Sequence, residues 1–282
     1  MVIGFIGAGK VGCTLGKYFS VNGYDVAGYY SRDPGSAKFA AEFTGTKYFS
    51  SKEELLSVCD TIFITVPDGT IKEVYNELKR LDIAGKQLCH CSGAMTAAEA
   101  FEDIEEHGSA GCSVHPLFPV SSKTESYHEI GKAFFCLEGD ENCVAEWQEI
   151  FSVLGNPTRI ISGSTKSEYH AACAIFSNLV CALADESISL MERCGFTEKE
   201  ALSALEPLVM SNIRRILSAG PVEALTGPVE RGDIKTVQKH IACMKSDTER
   251  DMYKAVSRRL TEVAQKKHPG ADYSGMLEVL LI

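Results

Sequence analysis

His115 is the side chain of this 282-residue sequence best suited to acid–base chemistry. It follows the apolar run 110–114, which predicts a strand, and Pro116 restricts the backbone after it. An imidazole titrates near neutrality and can exchange a proton with a carbonyl or hydroxyl group. We therefore interpret His115 as a candidate catalytic residue. The alternative is a structural histidine that bonds a loop carbonyl.

Ser92 is a second candidate, in the loop Ser92-Gly93-Ala94 behind the predicted strand 87–91. The carboxyl ends of parallel strands meet at one edge of a sheet, and α/β proteins bind ligands there. We therefore predict that Ser92 lies in one site with His115, as a catalytic residue and beside a cofactor. A role as a turn former is equally open.

A long apolar segment supplies more polar side chains. Residues 165–193 contain neither Gly nor Pro and predict one mostly buried helix of roughly 28 residues. Lys166, His170 and Asn178 lie on broadly one side of such a helix. We interpret His170 and Asn178 as candidate catalytic residues and Lys166 as a substrate contact. The alternatives are a solvated helix start for Lys166 and satisfied core polar groups for the others.

The loop 226–233 is rich in Gly and Pro, which favours a defined shape. Arg231 can clamp a substrate carboxylate through its planar guanidinium group. It is equally possible that Asp233 caps the next helix and pairs with Arg231.

The elements that must position these residues begin at the amino terminus. A strand-like run over 2–6 is followed by a G-x-G-x-x-G motif, a helical pattern and a second strand over 24–30. This order is typical of a dinucleotide-binding unit, in which a helix amino terminus favours the pyrophosphate. The alternative is a glycine-rich turn without a ligand. The predicted contacts are Gly7, Ala8, Gly9, Lys10, Val11 and Gly12, with Val66 and Pro67 after the fourth strand.

The end of the second strand indicates which dinucleotide binds. NAD-binding proteins usually place a carboxylate there for the ribose 2′-hydroxyl group, but this chain has Ser31 at that position and Arg32 after it. Both side chains can bind a 2′-phosphate, so we expect NADP (NADPH). Asp33 would be the ribose acceptor if the register were shifted by one residue. We favour a role for it as a helix cap.

Strand and helix signals alternate through the first half of the chain, and the second half is helical. We predict an α/β fold: a Rossmann-type, doubly wound parallel sheet in a dinucleotide-binding domain over 1–162, followed by an all-helical domain over 163–282. We expect the helical domain to bind substrate and to form a homodimer. A kink is possible at Pro207.

Composition excludes several classes of function. The formal net charge of −10 argues against nucleic acid and anionic membranes as partners. The eleven cysteines are scattered without a C-x-x-C motif, which favours a reducing cytoplasm and no metal site. We expect neither a signal peptide nor a membrane-spanning helix.

The chain resembles the Rossmann-like plus DUF2520 proteins of the wider 6-phosphogluconate dehydrogenase-like group, which are NADP oxidoreductases. The resemblance rests on the glycine motif and on short motifs along the chain. They are Tyr30-Ser31-Arg32, Ser92-Gly93, Val114-His115-Pro116-Leu117-Phe118-Pro119, Tyr169-His170-Ala171-Ala172, Ser177-Asn178, Thr226-Gly227-Pro228 and Arg231-Gly232-Asp233.

The resemblance implies hydride transfer between NADP and a small carbonyl, imine, alcohol or amine. Prephenate dehydrogenases have a serine and a histidine placed similarly to Ser92 and His115. Hydroxyisobutyrate and 6-phosphogluconate dehydrogenases have a lysine four residues before an asparagine. Here Ala174 occupies the position four residues before Asn178, so that lysine is absent. A histidine is therefore the expected acid–base group. The alternative function is a non-catalytic NADP-binding sensor or scaffold.

Overall fold

The computed structural model describes residues 1–281, which form an α/β unit and a helical unit. The strands are β1 (Val2–Ile6), β2 (Asp25–Tyr30), β3 (Lys47–Tyr48), β4 (Thr61–Ile64), β5 (Gln87–His90), β6 (Ala110–Leu117), β7 (Phe134–Gly139) and β8 (Thr158–Ile160). The helices are α1 (Lys10–Val21), α2 (Pro34–Thr44), α3 (Lys52–Leu56), α4 (Asp68–Leu78), α5 (Ala97–Ala100), α6 (Glu141–Leu154), α7 (Lys166–Ile175), α8 (Asn178–Arg193), α9 (Glu198–Ala224), α10 (Ile234–Cys243), α11 (Asp247–Lys267) and α12 (Ser274–Leu281).

Within residues 1–281, eight strands form one sheet in the order β3-β2-β1-β4-β5-β6-β7-β8. The predicted Rossmann-type α/β fold with a helical carboxyl-terminal part is confirmed. The prediction of a purely parallel sheet is wrong at one place, because β6 and β7 are antiparallel, with His115 opposite Cys136. Strand β6 also continues to Leu117, so His115 and Pro116 lie inside the strand and not behind it.

Alternation along the strands divides the apolar side chains between the two faces of the sheet. In β4, Phe63 joins one buried cluster, whereas Ile62 and Ile64 join the other. The first cluster packs against α1 and α6 through a set of aromatic rings that includes Phe19 and Trp147. The sheet is therefore covered by helices on both faces, as a doubly wound fold requires.

The predicted long helix over 165–193 is interrupted. Helix α7 ends at Ile175, and α8 begins at Asn178. The break also separates the two compact units, Met1–Ser177 and Asn178–Ile282. The first unit thus includes α7, beyond the predicted boundary after residue 162, because buried contacts of α7 attach it to the sheet. In α9 the backbone is non-helical at Gly220, with φ of 82°, and not at Pro207, where we expected a kink.

One helical segment among the described residues, Gly163–Arg193, is long and apolar enough to cross a membrane by length and composition. The sequence analysis expected no such segment. A single segment of this kind is weak evidence for a membrane span, because core helices of soluble proteins meet the same criterion.

Candidate active site

A cavity of about 470 Å³ opens at the carboxyl ends of β1, β2 and β4. Its volume lies in the range of small-molecule binding sites. It is lined by Ile6, Gly7, Ala8, Gly9, Tyr30, Ser31, Arg32, Asp33, Ser36, Lys52, Thr65, Val66, Pro67, Thr70, Glu73, Val74, Glu77 and Lys123. Seven of the predicted cofactor contacts are in that set, namely Gly7, Ala8, Gly9, Ser31, Arg32, Val66 and Pro67. Lys10, Val11, Gly12 and Ser92 are not.

The glycine motif has the geometry that a pyrophosphate requires. Gly7 has φ of 109°, and a Cβ atom there would lie 2.8 Å from the Thr65 backbone. A Cβ atom on Gly12 would lie 2.5 Å from Thr65 Oγ1, so Gly12 permits close packing of α1 on the sheet. On Gly9, by contrast, a Cβ atom would approach only Thr65 O, at 3.9 Å. The backbone before α1 therefore leaves room for a phosphate, and these residues fit a dinucleotide.

Basic side chains line the cavity together with the carboxylates of Asp33, Glu73 and Glu77. Besides Ser31 and Arg32, Lys52 and Lys123 line it, and the sequence analysis missed both lysines because they are distant in sequence from the glycine motif. Asp33 caps α2: its carboxylate accepts hydrogen bonds from Gly35 N at 3.1 Å and Ser36 N at 3.0 Å. A hydrogen bond from the Ser36 hydroxyl group at 2.7 Å, together with these two backbone bonds, holds the pKa of Asp33 below its usual value. The predicted capping role of Asp33 is confirmed.

The two predicted histidines of the first unit come together, with ring centroids 6.3 Å apart. His115 is held by Tyr169, whose hydroxyl group lies 2.7 Å from Nδ1. Gly93 lies against both rings, since a Cβ atom there would be 2.5 Å from His170 Cδ2 and 2.8 Å from His115 Nε2. Burial and the neighbouring His170 lower the pKa of His115 to about 4. The imidazole of His115 is therefore neutral near pH 7.

Ser92 links this histidine pair to the cofactor cavity. Its hydroxyl donates to Asp68 Oδ2 at 2.6 Å and accepts from Met95 N at 3.0 Å. Asp68 begins α4 directly after Pro67, which lines the cavity. The Ser92 backbone N–H donates to His90 Nδ1 at 3.1 Å, which fixes the loop. The proton of Ser92 is thus engaged by Asp68, which follows the predicted cofactor contacts Val66 and Pro67.

Lys166 has a structural partner. Its Nζ lies 3.0 Å from Glu138 Oε2, and both side chains are buried. The same carboxylate oxygen accepts a hydrogen bond from Ala97 N at 2.9 Å. Burial lowers the pKa of Lys166, and Glu138 opposes that effect. The ion pair attaches the start of α7 to β7, and the substrate contact of Lys166 stays a prediction.

Spacing on α7 explains how Tyr169 reaches His115. Lys166, Tyr169 and His170 are three and four residues apart, so they share one face of the helix. The ion pair of Lys166 with Glu138 directs that face toward the sheet. We predicted a role for His170 but not for Tyr169, although both lie on the same face of α7 as Lys166.

The remaining candidates, Asn178 and Arg231, belong to the helical unit. Asn178 is the first residue of α8. Asp233 caps α10 by accepting from Thr236 N at 3.1 Å. Hydrogen bonds from the Thr236 side chain and backbone lower the pKa of that carboxylate, and Arg231 adds to the effect. The capping alternative for Asp233 is therefore confirmed, whereas substrate contacts of Asn178 and Arg231 stay predictions.

Two family models match the chain. Residues 2–91 match the family described as NADP oxidoreductase, coenzyme F420-dependent, and residues 133–260 match a domain of unknown function, DUF2520. No curated protein matches the chain.

Several solved structures superpose on nearly the whole length of this chain. A protein from Thermotoga maritima is 26% identical, covers 94% of this chain and 99% of its own, and has a TM-score of 0.73. An imine reductase from Myxococcus stipitatus in complex with NADP⁺ is 19% identical, with 100% of each chain covered and a TM-score of 0.63. A pyrroline-5-carboxylate reductase from Coxiella burnetii is 17% identical, covers 99% of this chain and 96% of its own, and has a TM-score of 0.60.

The fold, the cavity and these matches place the chain in the class of NAD(P)-dependent oxidoreductases. More specifically, it combines an amino-terminal NADP oxidoreductase domain with a DUF2520 domain.

Proposed function

We propose that the protein is an NADPH-dependent reductase of a small carbonyl or imine compound, and that it also oxidises the corresponding alcohol or amine. The observation that carries the proposal is the cluster of His115, Tyr169 and His170 at the sheet edge, joined through Ser92 and Asp68 to the cofactor cavity. Neighbours named as imine reductases and as a pyrroline-5-carboxylate reductase support a C=N substrate.

The basic side chains in the cavity lining support NADP over NAD. A 2′-phosphate carries charge that Arg32, Lys52 and Lys123 can neutralise, and Ser31 can donate a hydrogen bond to it. Asp33, the carboxylate that follows Ser31 and Arg32 in the cavity lining, is engaged in the cap of α2. Lys52 also forms an ion pair with Glu77, so it can bind the 2′-phosphate only if it releases Glu77.

The bound nicotinamide supplies a hydride to the substrate carbon, and one proton must reach the substrate nitrogen or oxygen. His115 is neutral and shares a hydrogen bond with Tyr169 through Nδ1, so its Nε2–H, beside Gly93, can donate a hydrogen bond to the substrate nitrogen or oxygen. The ring must first take up a proton before Nε2 can pass one to the substrate. His170 lies next to His115 as the second candidate for the proton. Ser92 donates a hydrogen bond to Asp68. The roles expected from the sequence for Asn178, in orienting the substrate, and for Arg231, in binding an acidic group, stay predictions.

A homodimer formed through the helical unit is part of the proposal. Helix α8 carries Leu183 three residues after Val180 and four after Leu179, and all three side chains are exposed in the single chain. Large apolar patches on a protein surface mark interaction sites, and a second copy of the chain would cover this one. We further propose a cytoplasmic protein without nucleic-acid or membrane partners, in accordance with its net charge of −10.

Fluorescence titration with NADPH and NADH tests the cofactor. We expect NADPH to bind more tightly, and Arg32→Ala to reduce that preference by about 10-fold, which corresponds to 1.4 kcal/mol. Arg80→Ala, a charge change outside the cavity-lining set, is the matched control. Equal affinity of the unsubstituted chain for the two cofactors would contradict the NADP assignment.

Turnover of a panel of imines and carbonyls with NADPH tests the chemistry. His115→Asn should lower kcat by about 10² to 10⁴ and leave the NADPH affinity unchanged. Tight NADPH binding without oxidation by any panel compound would instead favour a sensor or scaffold.

A further inference from the structure

Three cysteines lie close together between the sheet and helix α6, and none of them lines the cofactor cavity. Cys112 Sγ lies 2.8 Å from Cys143 Sγ and 3.5 Å from Cys89 Sγ. All three sulfur atoms lie within 4.8 Å of one another. The cysteines come from β5, β6 and α6, so the fold brings together residues that are 23 and 31 positions apart along the chain. We call this set the thiol cluster.

The thiol cluster is enclosed but has a polar approach. Each of its cysteines is fully buried. Cys143 Sγ lies 3.6 Å from Gln87 Oε1, and the Gln87 amide group donates to the exposed Glu146 carboxylate at 2.5 Å. Movement of the half-buried Gln87 would connect the sulfur atoms with solvent. The Glu146 carboxylate at that opening favours the arrival of a cation.

The donor set indicates the kind of ion. Thiolates select soft metals such as Cu(I) and Zn(II), but structural zinc is almost always four-coordinate. Three sulfurs about 2.3 Å from an ion in a trigonal plane would be about 4.0 Å apart, so the cluster needs shifts of about an ångström or less. Binding displaces the thiol protons, because a cysteine ligates a metal ion as its thiolate.

We propose that Cys89, Cys112 and Cys143 form a trigonal site for a soft monovalent metal ion, Cu(I). The site is independent of the reductase function, because none of its residues lines the cofactor cavity. The bound ion joins β5, β6 and α6, and so it stabilises the folded chain.

The test uses the full chain with the exposed cysteines Cys181, Cys194 and Cys243 changed to serine, so that surface thiols do not compete. Cu(I) is supplied without oxygen from a chromogenic chelator of known affinity. We expect one Cu(I) per chain and a higher Tm. We also expect quenching of Trp147, the single tryptophan, which lies one helical turn from Cys143.

Cys112→Ser should weaken Cu(I) binding at least about 100-fold and remove the quenching. Cys59→Ser, at a buried cysteine in the other core cluster, is the matched control and should keep both. If Cys112→Ser does not fold, Cys89→Ala replaces it, and anomalous scattering at the copper edge locates the ion in the unsubstituted chain.

Three outcomes would overturn the proposal. They are a Cu(I) affinity unchanged by loss of a cluster cysteine, Zn(II) bound as tightly as Cu(I), and a Cys112–Cys143 disulfide in protein purified without oxygen.

Discussion

At the scale of single residues, the pair of His115 and Tyr169 determines which nitrogen of the imidazole can act. When the hydroxyl group donates to Nδ1, the proton of the neutral ring is on Nε2. Burial raises the pKa of Tyr169, so the phenol stays protonated and keeps its role as donor. Tyr169 is therefore a positioning residue for His115.

Tyr169→Phe removes that donor and leaves the ring packing in place. We expect kcat to fall by about 10-fold or more, the pH profile of kcat to shift, and the NADPH affinity to stay unchanged. The control is Tyr253→Phe, because the helical unit contains a second such pair, His240 Nδ1 with the Tyr253 hydroxyl at 2.7 Å. Equal effects of the two substitutions would show that only packing is lost.

Acid stability depends on the buried histidines. Burial lowers the pKa of His90 to about 3 and that of His115 to about 4, below the unfolded value of about 6.5. The unfolded chain therefore takes up protons first as the pH falls, and stability is lost from about pH 6.5 down to about pH 4 for His115 and about pH 3 for His90. Each histidine contributes a slope of up to about 1.4 kcal/mol per pH unit.

Urea unfolding at a series of pH values measures this slope. His115→Asn should make the curve flatter between pH 6.5 and 4.5, whereas substitution of His107, which is not buried, should leave it unchanged. If His115→Asn left the slope of unfolding free energy against pH unchanged, His115 would already be protonated in the folded chain in this pH range.

At the scale of elements, the first turn of α7 is fixed by the ion pair of Lys166 and Glu138. Removing one partner leaves a buried charge without compensation, so Lys166→Met should cost about 3–5 kcal/mol of unfolding free energy. Lys166→Met combined with Glu138→Gln should recover much of that loss, because the amide oxygen can still accept from Ala97 N.

Lys72→Met is the control, since the pair of Lys72 and Glu102 at 3.0 Å is largely exposed and contributes about 0–1 kcal/mol. Unfolding in urea, followed by circular dichroism, compares the variants. A cost for Lys166→Met no larger than that for Lys72→Met would contradict a stabilising role of the buried pair.

The strands and the glycine motif were predictable because local sequence signals define them. These signals are the apolar runs, the helix-capping residues and the spacing of Gly7, Gly9 and Gly12. The antiparallel pairing of β6 with β7 was not, because strand direction depends on the return path of the chain. The break between α7 and α8 lacks a Gly or Pro signal. Similarly, the contacts of Tyr169 with His115 and of Lys166 with Glu138 depend on tertiary packing.

At the scale of the whole molecule, the exposed leucines of α8 predict the oligomeric state. Leu179→Asp combined with Leu183→Asp should convert a dimer to a monomer in sedimentation experiments, since charges in a buried apolar interface are costly. Val153→Asp, at a residue that is 77% exposed on α6, is the control and should stay dimeric. Sedimentation of the unsubstituted chain as a monomer would contradict the proposed homodimer.

The hydrogen bonds of Asp33 have a consequence for coenzyme redesign. An engineer who wished to convert such a protein to NADH would normally recruit the nearest acidic group, but here that group already holds the amino terminus of α2. Deleting basic side chains would therefore yield a weak binder of both coenzymes. A new acid would have to be introduced at position 31, with Asp33 left untouched.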